Sequence, residues 1–284
     1  MGDGPGHFTL IRTTVVAAGR SLFRLMGVDP HRWLSSVMDE NASLILAEKL
    51  RLLDEPARQL VSAEDDRSHF GDIDLEDRGL QTVVRSFTVD RILFIRECLA
   101  GRPTGQMADL GDTNGIFLRS MGKNGISVNI SGKAVAILHG KGLDAICADI
   151  EHLPFRDGSL PVLLLFETLE HVPNPIRMLN EAARVTSGSL ILSVPYVTRT
   201  EIHPRLYDPT KPVHQHHIFE FNPDDLRRIA THTPFTIERT RVATVIEGRT
   251  LRGRIIIPLW RFLERDMFCG CFIRFYLCHL VKGP

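Results

Sequence analysis

The pattern of apolar and polar positions divides the chain into two parts with different periodicities. In residues 9–26, 30–62 and 80–101, apolar side chains recur at spacings of three and four, which predicts amphipathic helices. From about residue 106, short apolar runs bounded by Gly, Pro, Asp or Ser alternate with helical patterns. Such runs are typical of buried parallel strands. The alternation predicts a doubly wound α/β sheet preceded by a helical extension.

Five apolar runs supply the strands of this sheet. In chain order they are QMADL, ISVNI, DAICA, VLLLF and SLILSV. After them, NPDDLRRIA is predicted to begin a helix, with Asn222 as its N-cap and Pro223 at its first position. Two later runs, FTIERTRVATVI and TLRGRIIIPL, are predicted to be closing strands.

The tail WRFLERDMFCGCFIRFYLCHLVKGP is interpreted as an amphipathic helix. Four of its residues fall on one helical face: Phe268, Cys271, Phe272 and Phe275. A helix of this kind can pack against a core, join two copies in a homodimer, or lie on a membrane surface. The sequence leaves these three alternatives open.

The patterns together predict three segments. Residues 1–104 form a helical extension that acts as a lid, residues 105–245 a Rossmann-like domain, and residues 246–284 a closing strand and the amphipathic tail. One domain with such additions suits a chain of 284 residues, of which 43% are apolar.

Charge and cysteine content exclude some classes of function. Lys plus Arg number 34, as do Asp plus Glu, so the formal net charge is zero and general nucleic-acid binding is not expected. The five scattered cysteines are typical of a reducing compartment. No apolar stretch is long enough to span a bilayer, and Arg12 and Arg20 interrupt the apolar N-terminal segment. The expected location is therefore the cytoplasm.

Polar residues and glycines follow the first two predicted strands, at the edge where sheets of this class bind ligands. Gly111 and Gly115 permit a tight turn with close approach of a ligand to the backbone. Asp109 can accept a hydrogen bond from a cationic amine, and the Asn129 amide can contact ribose hydroxyl groups. This layout indicates a nucleotide-type cofactor.

The next two strands are also followed by residues suited to ligand binding. Asp149 can accept a hydrogen bond from the exocyclic amine of adenine, while Ile150 flanks the ring. After the fourth strand, Glu167, Glu170 and His171 are expected at the mouth of the sheet.

The segments ADIEHLPF, LEHVPNPIRMLNEAARV and LILSVPY, taken in this order, resemble class I S-adenosylmethionine-dependent methyltransferases. The resemblance is greatest to the branch called methyltransferase type 11 and covers about residues 105–240. It implies a seven-stranded sheet with an antiparallel last strand. It also implies S-adenosylmethionine as the methyl donor and a small molecule, such as a lipid, a glycan or a natural-product intermediate, as the acceptor.

The resemblance also implies roles for individual residues. The first turn would hold the methionine end of the cofactor, the end of the second strand its ribose, and the end of the third strand its adenine, while the fourth-strand loop would face the donor methyl. The implied cofactor-binding residues are Asp109, Gly111, Thr113, Gly115, Asn129, Asp149, Ile150 and Glu167.

The chain departs from the pattern of this family at three positions. Thr113 replaces a glycine of the first turn, Asn129 replaces an acidic ribose ligand, and Pro161 replaces an aspartate that precedes the fourth strand. The first two departures predict a modified cofactor loop. A β-branched residue at position 113 is strained if its φ is positive and fits if its φ is negative.

Histidine is the expected base for the proton of the methyl acceptor, because its pKa lies near neutrality. The candidates are His171 in the fourth-strand loop and His214 and His217 in the histidine-rich segment that precedes NPDDLRRIA. No metal site is predicted, because His216 and His217 are adjacent and no Cys or acid completes a known ligand spacing.

Two other functions compete with methyl transfer. The modified turn is also compatible with a catalytically inactive protein of the same fold that serves as a binding or scaffold partner. A nicotinamide-dependent dehydrogenase would have the same kind of sheet, but the chain lacks the full glycine fingerprint and the acidic ribose ligand.

Overall fold

The computed structural model describes residues 29–63, 78–102, 104–122, 125–197, 201–202, 217–263 and 274–283. The helix predicted over 9–26 lies outside these ranges. The helices are α1 (Pro30–Leu50), α2 (Glu55–Ala63), α3 (Arg78–Leu99), α4 (Ile116–Ser120), α5 (Gly132–Gly140), α6 (Pro175–Val185), α7 (Pro223–Ala230) and α8 (Leu251–Leu263). The strands are β1 (Met107–Leu110), β2 (Gly125–Asn129), β3 (Asp144–Cys147), β4 (Leu160–Phe166), β5 (Thr186–Pro195), β6 (Glu201–Ile202), β7 (Phe219–Glu220), β8 (Phe235–Thr244) and β9 (Arg274–Lys282).

Seven of the strands form one twisted sheet in the order β3-β2-β1-β4-β5-β9-β8. The first five pair in parallel, and β9 runs antiparallel to both of its neighbours, β5 and β8. The predicted fold class, a doubly wound seven-stranded sheet with an antiparallel last strand, is confirmed. The sheet order reverses between β1 and β4, which is where folds of this class bind their ligands.

Helices cover both faces of the sheet because its strands alternate between two cores. On one face, Leu163 and Leu165 of β4 pack with α6 and α7. On the other, Val162, Leu164 and Phe166 of the same strand pack with α2 and α3. The N-terminal extension therefore supplies one of the two helical layers, and α3 is fixed over the carboxyl ends of the central strands.

A largely buried lysine of the extension, Lys49, forms an ion pair within the extension and a hydrogen bond to the rest of the domain. Lys49 of α1 lies 2.6 Å from the carboxylate of Asp90 on α3, and both side chains are largely buried. The same ammonium group donates hydrogen bonds to Ser86 Oγ at 2.9 Å and to the carbonyl oxygen of Thr244 at 3.1 Å. One cation thus connects α1, α3 and the end of β8.

The helix predicted at NPDDLRRIA is confirmed together with its cap. The Asn222 side-chain oxygen accepts hydrogen bonds from the backbone N–H groups of Asp224 at 2.9 Å and Asp225 at 3.0 Å. Pro223 occupies the first helical position. The strand predicted at FTIERTRVATVI is also confirmed, as β8.

The strand predicted at TLRGRIIIPL is wrong, because this segment begins helix α8. Thr250 caps the helix: its hydroxyl accepts from the N–H of Gly253 at 3.1 Å, and its carbonyl accepts from the N–H of Arg254 at 2.9 Å. Gly253 packs against Asn41 of α1 so closely that a Cβ would overlap the Asn41 amide. The cap and this contact outweigh the strand preference of the three consecutive isoleucines.

The helix predicted for the tail is wrong over the part that the structure describes. Phe275 lies in β9, and residues 275–280 are buried between β5 and β8. A continuous apolar run is compatible with either a buried helix or a buried strand. This segment is a strand because it pairs with β5 on one side and with β8 on the other. Phe268, Cys271 and Phe272 lie outside the described residues. Within the described parts of the chain, no helix combines the length and the apolar character that crossing a membrane requires.

Candidate functional site

The turn after β1 depends on two glycines with positive φ. Gly111 has φ 85° and donates its N–H to the carbonyl oxygen of Val128 at 2.8 Å. A Cβ on Gly111 would overlap the side chain of Thr168, and a Cβ on Gly115, at φ 73°, would overlap Leu143. Both glycines are therefore required by backbone conformation and by close packing.

Asp112, which the sequence analysis did not single out, organises this turn. Its Oδ1 accepts from the N–H groups of Asn114 at 3.0 Å and Gly115 at 2.8 Å, and its Oδ2 accepts from Ser127 Oγ at 2.5 Å. Burial raises the pKa of Asp112, and these hydrogen bonds oppose that rise. An aspartate three residues before a glycine is a recurring turn signal and would have identified it.

Asn129 connects the end of β2 to the same turn. Its Nδ2 donates to the carbonyl oxygens of Asp112 at 2.7 Å and Gly111 at 3.3 Å, while its Oδ1 accepts from the N–H of Ser131 at 2.8 Å. A carboxylate has no N–H and could not make the first two contacts. Asn129, which stands in place of an acidic residue, therefore stabilises the glycine turn through its side-chain amide.

Thr113 lies outside the left-handed region of the backbone. Among the described residues other than glycine, only Glu167 has a positive φ, which is 45°. Thr113 therefore has a negative φ and carries no strain of the kind that a β-branched residue would have at positive φ. Glu167, in contrast, is held in a conformation that costs free energy and that is found mostly at functional sites.

A pocket lies between this turn and helix α3 of the extension. Asp109, Gly111 and Thr113 line it from the turn. Val84, Thr88 and Arg91 line it from α3. The structure thus brings three of the predicted cofactor residues together and adds a wall from the segment that the sequence analysis described as a lid.

Arg91 is the buried cation of this region. Its Nη2 lies 3.1 Å from Glu167 Oε1, and its Nε donates to Ser193 Oγ at 3.2 Å. Ser193 Oγ in turn donates to Glu167 Oε1 at 2.8 Å. The guanidinium carbon lies 3.6 Å from the centroid of the Phe87 ring. Sequence reasoning missed Arg91 because no local motif marks a residue that reaches the site from a helix before the sheet.

Two further carboxyl groups are buried beside this ion pair without full hydrogen bonding. Asp109 Oδ2 has no hydrogen-bond partner, and neither oxygen of Glu170 has one. Burial, together with the negative charge of Asp112, holds the pKa of Asp109 well above its usual range. Burial and the carboxylate of Glu167 do the same to the pKa of Glu170. An excess of buried acids over cations favours a positively charged ligand.

Two of the three predicted histidines meet at the mouth of the sheet. The rings of His171 and His217 lie 4.7 Å apart, centroid to centroid, and nearly perpendicular. The backbone N–H of Ile218 donates to the Glu170 carbonyl oxygen at 2.8 Å, which holds the segment of His217 against the fourth-strand loop. His214 lies outside the described residues.

The predicted adenine residues lie after β3, outside the lining of the pocket. Asp149 is exposed, and its Oδ1 accepts from the N–H of Glu151 at 2.9 Å. Ile150 is half-buried beside it. They occupy the same carboxyl edge of the sheet as the pocket, two strands away from β1.

Substituting Gly111 with alanine is expected to destabilise the fold by about 1–3 kcal/mol, because it adds backbone strain and an overlap with Thr168. Gly122→Ala is the matched control, since Gly122 also has a positive φ, 58°, but a Cβ there would meet nothing within 4 Å. Urea unfolding compares the two variants. Equal losses would show that close packing against Thr168 contributes nothing.

Residues 108–192 match the family described as "Methyltransferase domain". Over this segment the chain is similar to that family. The resemblance inferred from the sequence is confirmed, and the match covers β1 to most of β5, including the glycine turn and the fourth-strand loop.

Proteins similar to part of this chain occur in distant organisms. An uncharacterised protein of Methanocaldococcus jannaschii is 30% identical over 111 residues, which are 38% of this chain and 53% of that protein. A Mycobacterium tuberculosis protein named "Probable S-adenosylmethionine-dependent methyltransferase" is 30% identical over 112 residues, 39% of this chain and 40% of the relative. The chain therefore spans about half or less of the length of these relatives.

Solved structures share the fold at low sequence identity. Magnesium protoporphyrin IX methyltransferase from Synechocystis, solved with bound S-adenosylmethionine, is 17% identical with a TM-score of 0.50, over 76% of this chain and 89% of that one. The MccD protein is 17% identical with a TM-score of 0.50, over 68% of this chain and 96% of that one. These likenesses support the assigned fold.

Proposed function

We propose that this protein binds S-adenosylmethionine in the pocket between the Gly111 turn and α3 and transfers its methyl group to a small molecule. The observation that carries the proposal concerns Asp109, which lines the pocket and whose buried Oδ2 has no hydrogen-bond partner. An ammonium group such as that of a methionine end would give this oxygen its missing partner. The donor named for the mycobacterial relative agrees with this chemistry.

The charges around the pocket support a cationic methyl donor. Asp109, Glu167 and Glu170 are buried near one another, and Arg91 is the cation that opposes them. A sulfonium is positively charged, so the carboxylates would stabilise it in the bound state. When bound, the donor supplies an electrophilic methyl group, and the chain holds the acceptor in line with it.

Adenine and ribose would extend from the pocket along the carboxyl edge of the sheet toward β3. Asp149 is proposed to accept from the adenine amine and Ile150 to flank the ring. Asn129 supports the turn through its amide, and its Oδ1 retains capacity for one ribose hydroxyl. Under this proposal the loop with Thr113 binds the donor in a modified form.

The acceptor is proposed to enter beside His171 and His217, with α3 forming part of the cover. Either histidine would take the acceptor proton as the acceptor oxygen bonds to the methyl carbon and the bond from that carbon to the sulfonium sulfur breaks, which would leave S-adenosylhomocysteine. A histidine-lined mouth suits a hydroxyl acceptor in a lipid, a glycan or a natural-product intermediate. The extension and the tail are proposed to contribute to acceptor entry, and membrane contact and dimerisation remain predictions for the tail.

Calorimetric titration with S-adenosylmethionine and S-adenosylhomocysteine tests this function. We expect micromolar affinity for both, weakened about tenfold by Asp149→Ala because one charge-assisted hydrogen bond is lost. Asp144→Ala is the matched control, since Asp144 is exposed at the opposite end of the same strand. If the folded protein binds neither compound at millimolar concentration, the alternative of an inactive scaffold protein is favoured.

A further inference from the structure

Three potential metal ligands converge at the mouth of the sheet. One ligand atom from each of Glu170, His171 and His217 lies within 4.8 Å of the other two. Glu170 and His171 belong to the short 3₁₀ turn Leu169–His171 after β4, and His217 is brought to them by the Ile218 to Glu170 backbone hydrogen bond. The cluster joins two segments that are more than forty residues apart in the sequence.

Three buried atoms of this cluster, the two carboxylate oxygens of Glu170 and Nδ1 of His217, have no hydrogen bond. Glu170 is fully buried, and neither of its carboxylate oxygens has a hydrogen bond. His217 Nδ1 is also buried without a hydrogen bond. A polar atom buried in this way costs free energy comparable to a lost hydrogen bond. A cation between these groups would remove that cost.

The neighbouring protein cation does not fill this role. Arg91 directs its Nη2 to Glu167 and its Nε to Ser193. Glu220 Oε1 lies 3.8 Å from His217 Nδ1 and adds negative charge to the cluster. Burial and the neighbouring carboxylates of Glu167 and Glu220 hold the pKa of Glu170 well above its usual range.

We infer that Glu170, His171 and His217 form a binding site for a first-row divalent transition-metal ion such as Zn²⁺, Co²⁺ or Mn²⁺. Two imidazoles and one carboxylate suit these ions better than Mg²⁺ or Ca²⁺, which prefer all-oxygen ligands. Three protein ligands leave coordination positions open for water or another molecule, as in catalytic rather than structural metal sites. Metal binding requires no methyl donor, so the inference goes beyond the proposed function. A ring nitrogen that binds the ion cannot also take the acceptor proton, so the proton-accepting role proposed for His171 or His217 belongs to the metal-free protein.

Metal ligands must be deprotonated, so the affinity of the site for the ion is expected to rise with pH. Both Zn²⁺ and Co²⁺ are expected to bind more tightly than Mn²⁺.

Metal titration of the full-length, tag-free protein tests the inference. The apo protein is prepared with EDTA, dialysed, and titrated calorimetrically with ZnCl₂ and MnCl₂, and CoCl₂ binding is followed by its visible absorption bands. We expect one Zn²⁺ or Co²⁺ ion per chain at this site, with at least tenfold weaker binding in Glu170→Gln and in His217→Gln. Both variants are checked for a native circular dichroism spectrum.

His232→Asn is the matched control, because His232 is exposed on the turn after α7 and does not belong to the cluster. Its metal affinity and cobalt spectrum should equal those of the wild type. The inference is overturned if wild-type protein binds no Zn²⁺ or Co²⁺, or if folded Glu170→Gln and His217→Gln bind as tightly as His232→Asn. Titration with S-adenosylhomocysteine in EDTA separates this result from a failure of the proposed function, since each can fail alone.

Discussion

Replacing Arg91 with methionine is expected to lower the free energy of unfolding by about 3–5 kcal/mol. The guanidinium is almost completely buried, and its ion pair with Glu167 also includes Ser193. Methionine fills much of the same volume but leaves the Glu167 carboxylate buried without a cation. Most of the lost free energy of unfolding therefore comes from the unpaired charge of Glu167, and less of it from the change in packing. Urea unfolding followed by circular dichroism measures it.

The double variant Arg91→Met, Glu167→Gln separates charge from packing. Because it removes both charges, it should regain more than half of the stability that Arg91→Met loses. Arg241→Met is the control, since Arg241 is a partly exposed arginine that pairs with Glu97 on the surface. A loss below about 1 kcal/mol in Arg91→Met, similar to that of an exposed pair, would contradict the assigned role.

The variant Asp109→Asn is expected to bind the methyl donor more weakly without any loss of folding stability. The change removes the charge that we propose binds the ammonium group of the donor, so affinity for S-adenosylmethionine should fall by about 1.5–3 kcal/mol, on the order of 10- to 100-fold. The fold should be as stable as the wild type or more stable near neutral pH, because a buried carboxylate that lacks a full set of partners is gone. Asp144→Asn should change neither quantity.

The pH dependence of stability should also change in Asp109→Asn. In the folded protein the pKa of Asp109 lies well above its unfolded value of about 3.9, so the folded state holds this proton longer than the unfolded state does. Its contribution to stability is complete below about pH 4 and is lost as the pH rises through the folded pKa. The stability of the variant relative to the wild type should therefore be greater at pH 8 than at pH 5. An unchanged difference would show that Asp109 does not titrate as described.

The centre of the sheet could be predicted from the sequence because strands β1, β4 and β5 are buried on both faces. Apolar runs such as VLLLF and SLILSV, which alternate along the chain with helical patterns, are typical of buried parallel strands. Both strands are confirmed. The C-terminal elements could not be predicted in this way. Local periodicity does not distinguish a buried helix from a buried strand, and the strand at Arg274–Lys282 exists because β5 and β8 flank it.

The sequence predicts which edge of the sheet carries the candidate site, but it does not encode the contacts that support that site. Residues that follow parallel strands converge at one edge, so Asp109, Gly111 and Glu167 were predicted to lie near one another. The hydrogen bonds of Asn129 to the turn depend on the three-dimensional path of the backbone. Arg91 reaches the site through the packing of α3, which no spacing rule in the sequence encodes.

The most direct test of the account is a crystal structure of the protein with S-adenosylhomocysteine. We predict electron density for the amino group of the ligand beside Asp109 Oδ2, with the methionine end between the Gly111 turn and α3 and the adenine near Asp149. Density for the ligand elsewhere, or a pocket that excludes it at saturating concentration, would contradict the proposed binding site.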